Sequence, residues 1–174
     1  MKYPIGIQSF ERIIEDGYVY VDKTDLIFRL THEGSIYFLS RPRRFGKSLL
    51  VSTLENYYLG RKELFRGLAI DSLETEWAVH PVFHVDFNGG NFTNPGELEQ
   101  KISFYLTEWE QQYGLPVRMN ELGYGDRFIQ VLEAAHRQTG RRAVVLVDEY
   151  DKPILDVLDV DTSLEERHRN VLKA

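Results

Sequence analysis

The sequence predicts an α/β fold built on a mainly parallel sheet, and three observations carry that expectation. Apolar runs suited to buried strands recur at Ile36 to Leu39, Val82 to Phe87 and Ala143 to Val147. Segments whose apolar residues fall at helical spacing alternate with them, the order that yields parallel strands joined by crossover helices. Two of the runs lead straight into chemically active stretches, an arginine-rich loop ending in Gly46-Lys47-Ser48 and the pair Asp148-Glu149.

With 174 residues, 43% hydrophobic and 28% charged, the chain reads as one globular domain able to bury a core. The lack of cysteine excludes a disulfide framework and thiolate metal sites and suits a reducing compartment, so a cytoplasmic location is expected. No apolar run reaches the length of a membrane span, and Met1-Lys2-Tyr3-Pro4 does not open a signal peptide, so no membrane partner is expected. A net charge of −6 argues against indiscriminate nucleic-acid binding, with the basic stretch Arg41 to Lys47 as a local exception.

Ser9 is suited to cap a short helix carrying Phe10, Ile13 and Ile14, after which Asp16-Gly17 turns the chain into a β-prone run, Tyr18 to Val21. Asp22 is the expected N-cap of a helix bearing Leu26, Ile27 and Leu30 and ended by Gly34. Ile36 to Leu39 is the expected buried strand before the basic loop. Beyond the loop, Leu49, Leu50, Leu54, Tyr57 and Tyr58 recur at helical spacing up to Gly60, and Lys62 to Leu68 reads as a short helix.

Pro81 introduces an alternating strand with Phe83, Val85 and Phe87 on one face and His84 and Asp86 on the other. A solvated face accounts for that second pair better than acid/base chemistry does. Asn88-Gly89-Gly90-Asn91 is a loop signal, and Asn94-Pro95-Gly96-Glu97 has the makings of a helix start. The helix it opens carries a core stripe of Leu98, Ile102, Tyr105, Leu106 and Trp109. The next is expected to start near Asp126, with Phe128, Val131, Leu132 and Ala135 inward, and to end at Gly140. Ala143 to Val147 is the strongest strand signal in the chain. Asp151 reads as a turn residue before Pro153, and Ser163-Leu164-Glu165-Glu166 opens a last helix.

The pattern of a phosphate-binding P-loop is Gly, four residues, then Gly-Lys-Ser/Thr between a strand and a helix. Its backbone N–H groups wrap the phosphates, its lysine spans them and its hydroxyl takes Mg²⁺. Here Arg41 stands at the first glycine position, so the pattern is degenerate. A Gly-Lys-Ser/Thr triplet alone arises by chance in about one chain in ten of this length; the order strand, loop, helix is what raises it. The expected nucleotide-holding set runs from Arg43 and Arg44 through Phe45, Gly46, Lys47 and Ser48 to Leu49. The three arginines of the loop, Arg41, Arg43 and Arg44, and Lys47 favour an anion, phosphate or a nucleic-acid backbone. The acidic partner is Asp148-Glu149 at the carboxyl end of a buried strand, where ligands sit in open α/β sheets. Asp148 joins Ser48 as the expected metal ligand, with Lys47 and Glu149 as the expected catalytic residues, Glu149 activating water.

Tyr3-Pro4-Ile5-Gly6, Tyr20-Val21-Asp22-Lys23-Thr24, Ser40 to Leu50 and Val147-Asp148-Glu149-Tyr150-Asp151-Lys152-Pro153 together resemble the AAA-ATPase-like proteins of bacteria. The resemblance covers nearly the whole chain and makes the absent first glycine a family trait. It implies a three-layer P-loop NTPase sheet of AAA type, ATP and Mg²⁺ as cofactors, and a partner or attached nuclease-like domain of the PD-(D/E)XK type. It also implies that Tyr20, Asp22 and Lys23 lie against the adenine. Residues 1–174 then form the N-terminal part of that domain, since no strand bearing the polar sensor residue is visible after Asp151 and the sheet is expected to be incomplete on its C-terminal side. The expected activity is ATP binding, with hydrolysis when complete and assembly into an oligomer allowed. The other reading kept is a non-hydrolysing module whose basic loop meets nucleic acid or a partner protein.

Overall fold

The computed structural model describes residues 1–40, 45–117 and 121–173, which fall into two compact units, Met1–Val82 and Phe83–Ala174.

The first unit is helical. Helix α1 (Phe10–Glu15) starts where the Ser9 hydroxyl accepts the N–H of Arg12 at 3.2 Å, and stops at Asp16 and the left-handed Gly17. Helix α2 (Thr24–Glu33) and helix α3 (Lys47–Tyr58) follow, then two 3-10 turns, Lys62–Phe65 and Ala69–Ser72. The expected helix over 62–68 is therefore shorter and tighter. The core gathers Phe10, Ile27, Tyr57, Leu64, Phe65, Ile70 and Trp77. Phe65 lies at its centre, with ring centroids 4.7 Å from Phe10 and 5.2 Å from Trp77.

Among the described residues of 1–81 there is no strand, so neither Tyr18 to Val21 nor Ile36 to Leu39 forms the strand expected of it. Ile36 is 93% exposed and Phe38 72%. Tyr37 folds back on Gly34, its hydroxyl 2.6 Å from where a Cβ on that glycine would sit. An apolar β-prone run suits a sheet, but only a paired neighbour makes it a strand.

The second unit holds strand β1 (Val82–Asp86), which begins at its boundary, helix α4 (Glu97–Gln112), helix α5 (Tyr124–Thr139), strand β2 (Val144–Asp148), the single turn α6 (Lys152–Leu155) and helix α7 (Thr162–Lys173). β1 and β2 pair in parallel as a two-stranded sheet. The α/β class and the parallel pairing hold; the sheet is smaller than the three-layer one expected. Phe83 and Phe87 are buried as their alternation requires, Phe83 against Val131 and Ala135, Phe87 with Phe92 and Leu98. α4 begins at Glu97 after a left-handed Gly96, later than the Asn94 cap signal suggests, and α5 begins at Tyr124 and ends at left-handed Gly140.

Helices α4 and α5 are clamped by a buried ion pair. Arg127 is 1% exposed and Glu110 3%. The guanidinium donates from Nε and Nη2 to the two carboxylate oxygens, each at 2.8 Å, and from Nη2 to the Thr107 hydroxyl at 3.3 Å. Removing one partner strands the other charge in the interior. Arg127→Met is therefore expected to lower stability by about 3 kcal/mol or more, while the double variant Arg127→Met with Glu110→Leu recovers most of the loss. Urea unfolding of both variants checks this; equal losses would contradict it.

Candidate functional site

The residues singled out by sequence fall in both units. Tyr20, Asp22, Lys23 and the run Phe45 to Leu49 belong to the first, Asp148 and Glu149 to the second. Arg43 and Arg44 lie outside the described residues, as do Arg41 and Pro42.

At the start of α3, Gly46 occupies the cap position with φ 75°, a left-handed value that glycine adopts without the steric penalty a Cβ brings. Lys47 and Ser48 are then the first two residues of a 12-residue helix. Among the described residues no side chain caps this start, and no acidic residue stands in its first turn. The contrast is internal: Glu11 in α1, Asp25 in α2, Glu97 and Glu99 in α4, Asp126 in α5 and Glu165 in α7 all place negative charge where helix dipoles favour it. α3 thus begins with an unopposed partial positive charge, a lysine and a hydroxyl, the setting that attracts an anion. Lys47, Ser48 and Leu49 are half-exposed and Phe45 is exposed.

Tyr20 and Asp22 have structural roles of their own. Tyr20 packs edge-on against Phe10 at 5.2 Å, and its burial pushes the hydroxyl pKa up. The N-cap of α2 is Lys23, which makes no side-chain cap bond, rather than Asp22 as expected; the bonds at the helix start nevertheless come from Asp22. Its Oδ1 accepts the N–H and hydroxyl of Thr24 at 2.9 and 2.7 Å, and its Oδ2 accepts the N–H of Ala69 at 2.7 Å. The Thr24 hydroxyl in turn accepts the N–H of Ile70 at 3.0 Å. Burial alone would raise the Asp22 carboxyl, but the hydrogen bonds from Thr24 and Ala69 outweigh it and hold the group below its ordinary range. Lys23 is exposed.

In the second unit, β2 ends on Asp148, which is buried, and whose carbonyl accepts the N–H of Phe87 at 3.2 Å. Its carboxylate Oδ1 accepts the N–H of Glu149 at 3.0 Å. Glu149 has φ 52°, a left-handed conformation that costs a residue with a side chain roughly 1–2 kcal/mol. Strain of this kind collects where a side chain must leave a scaffold in a set direction. Asp151 then takes the cap position of α6 without a side-chain cap bond, with Pro153 in the first turn, the turn role expected of it. Asp86 likewise has a turn role, its Oδ1 accepting the N–H of Asn88 at 2.7 Å.

Among the described residues no three His, Asp or Glu side chains cluster as a metal cage. Magnesium, however, typically takes only one or two protein oxygens and completes its shell with phosphates and water. Sequence reasoning assigned no role to Lys152, which bridges the acidic turn and the loop after β1. The signal available was its i,i+4 spacing to Asp156.

The family model described as predicted AAA-ATPase matches residues 4–174, so the chain belongs to the AAA-ATPase-like family. A similar protein from Azotobacter chroococcum mcd 1, described as an uncharacterized protein in the vnfD 5'region, is 48% identical over 159 residues, which make up 90% of this chain and 30% of that relative. The chain therefore spans under a third of the relative's length. No solved structure matches. Among the described residues no helix is long and apolar enough to cross a membrane.

Because the Asp22 pKa is lower in the folded chain, its contribution is complete above the unfolded value near pH 4 and is lost as pH falls through the folded value. Asp22→Ala is expected to cost about 1 kcal/mol at neutral pH. In urea unfolding that difference should shrink below about pH 4; a difference constant down to strong acid would contradict the assignment.

Proposed function

We propose that this chain is an ATP-binding P-loop domain that uses magnesium and hydrolyses ATP when its domain is complete. The observation that carries the reading is the uncapped, acid-free start of α3, entered through a left-handed glycine and opening with Lys47 and Ser48. Membership of the AAA-ATPase-like family supports it. The N–H groups from Phe45 to Leu49 and the Lys47 ammonium balance phosphate charge, with Arg43 and Arg44 adding to the field. Ser48 and Asp148 supply oxygen donors to Mg²⁺. Glu149 orients a water molecule and accepts its proton. Bound magnesium triphosphate supplies the phosphoryl group open to attack by that water. The adenine lies toward Tyr20 to Lys23. The domain would regulate an attached or partner nuclease-like domain and work in the cytoplasm.

A second reading rests on the exposed apolar residues Ile36, Tyr37, Phe38 and Phe45 flanking the basic loop, which suit contact with a partner chain or nucleic acid without hydrolysis. It predicts salt-sensitive DNA binding that survives Lys47→Ala.

For the first reading, millimolar Mg-ATP should raise the melting temperature by a few degrees, on the order of 3 °C, and Lys47→Ala should abolish the rise. A melting curve unmoved by nucleotide in the wild-type chain would count decisively against it.

A further inference from the structure

The turn after β2 departs from its strand under strain, at left-handed Glu149, and something must hold it there. The backbone contributes the bonds from the Lys152 N–H to the Glu149 carbonyl at 3.0 Å and from the Ile154 and Leu155 N–H groups to the Asp151 carbonyl at 3.1 and 2.9 Å. The side chain of Lys152 does more. Its ammonium donates to the Gly90 carbonyl at 2.9 Å and to Asp156 Oδ2 at 2.6 Å, and lies 5.3 Å from the centre of the Phe92 ring.

Gly90 and Phe92 come from the segment that leaves β1, while Asp156 lies one helical turn beyond Lys152 at the end of α6. The same Asp156 oxygen also accepts the N–H of Phe92 at 3.4 Å. The Phe92 ring lies flat against Gly90, 2.5 Å from where a Cβ would stand, so only glycine leaves room for this packing. β1 and β2 are neighbouring parallel strands, so both segments emerge at the carboxyl edge of the sheet, the edge at which open α/β sheets hold ligands. The ammonium ties together the two loops that leave this edge.

We propose that Lys152 is a positioning residue, a latch that fixes the turn bearing Asp148 and Glu149 to the loop at Gly90. Resting on the ATP reading above, the purpose of the latch is to hold the acidic pair at the angle from which magnesium is met. Lys152 does not touch the nucleotide or the metal.

Two measurements on the wild type, Lys152→Met and Lys152→Arg separate the latch from its purpose. In hydrogen exchange, Lys152→Met should speed the amides of 88–92 and 149–151 about tenfold or more, the effect of losing a charge-assisted bond, while α4 and α5 keep their protection. Unchanged exchange at 149–151 overturns the latch; loss of protection in α4 and α5 as well overturns it too, by showing a general structural role. In calorimetry, Lys152→Met should reduce the gain in ATP affinity conferred by magnesium about tenfold and leave metal-free ATP affinity within about twofold, and Lys152→Arg should restore much of the gain. Equal losses with and without metal overturn the positioning role. A wild-type chain that takes up no nucleotide sinks the ATP reading instead, and the exchange result then decides the latch by itself.

Discussion

The hydrogen bond from the Phe87 N–H to the Asp148 carbonyl is the contact on which the second unit depends. It closes the β1–β2 pairing at the last residue of β2, so the backbone of Asp148 is held by the sheet while the next residue turns away from it. Register at this point is secured by burial: a slip of one residue would turn Phe83 and Phe87 to the other face. The helices that cover that face are held by Arg127 and Glu110, whose paired charges fix how α4 meets α5. A strained glutamate can persist at the strand end only because everything behind it is over-determined.

The first unit solves the opposite problem with the same logic. Helix α3 is gripped along its middle and end, where Thr53, Asn56 and Tyr57 are buried, and where Ser52 accepts the N–H of Phe10 at 3.0 Å. Asp22 and Thr24 staple the start of α2 to the 69–70 backbone. The first turn of α3 is left half-exposed and carries no acidic residue of its own. Anchoring the far end while leaving the near end unsatisfied is how a helix start becomes available to an anion.

Much of this was legible because it is local. β1 and β2 announced themselves by alternation and by an unbroken apolar run, α4 and α5 by their apolar stripes, and α7 by its start signal alone. Gly46 and Gly140 stood where a left-handed turn was needed. Pairing was not legible, because Ile36 to Leu39 has the composition of a strand and yet forms none. The Arg127–Glu110 clamp was overlooked although Glu110 sits four residues after buried Leu106 and Arg127 four before buried Val131, placing both charges on apolar faces. Asp22 was legible as a residue of the α2 start, one position before the actual cap, but the reach of its second oxygen to Ala69, 47 residues away, was not. The left-handed Glu149 and the grip of Lys152 on Gly90 depend on tertiary contacts that no spacing records.

Ser48 and Asp148 belong to different compact units, and the function proposed requires both to serve one magnesium ion. Calorimetric ATP affinity, with and without magnesium, in the wild type, Ser48→Ala, Asp148→Asn and the double variant decides this directly. If the metal is shared, each single change removes about tenfold of the magnesium-dependent gain and the double change removes little more. Losses that multiply, or an Asp148→Asn chain with its magnesium response intact, would contradict it.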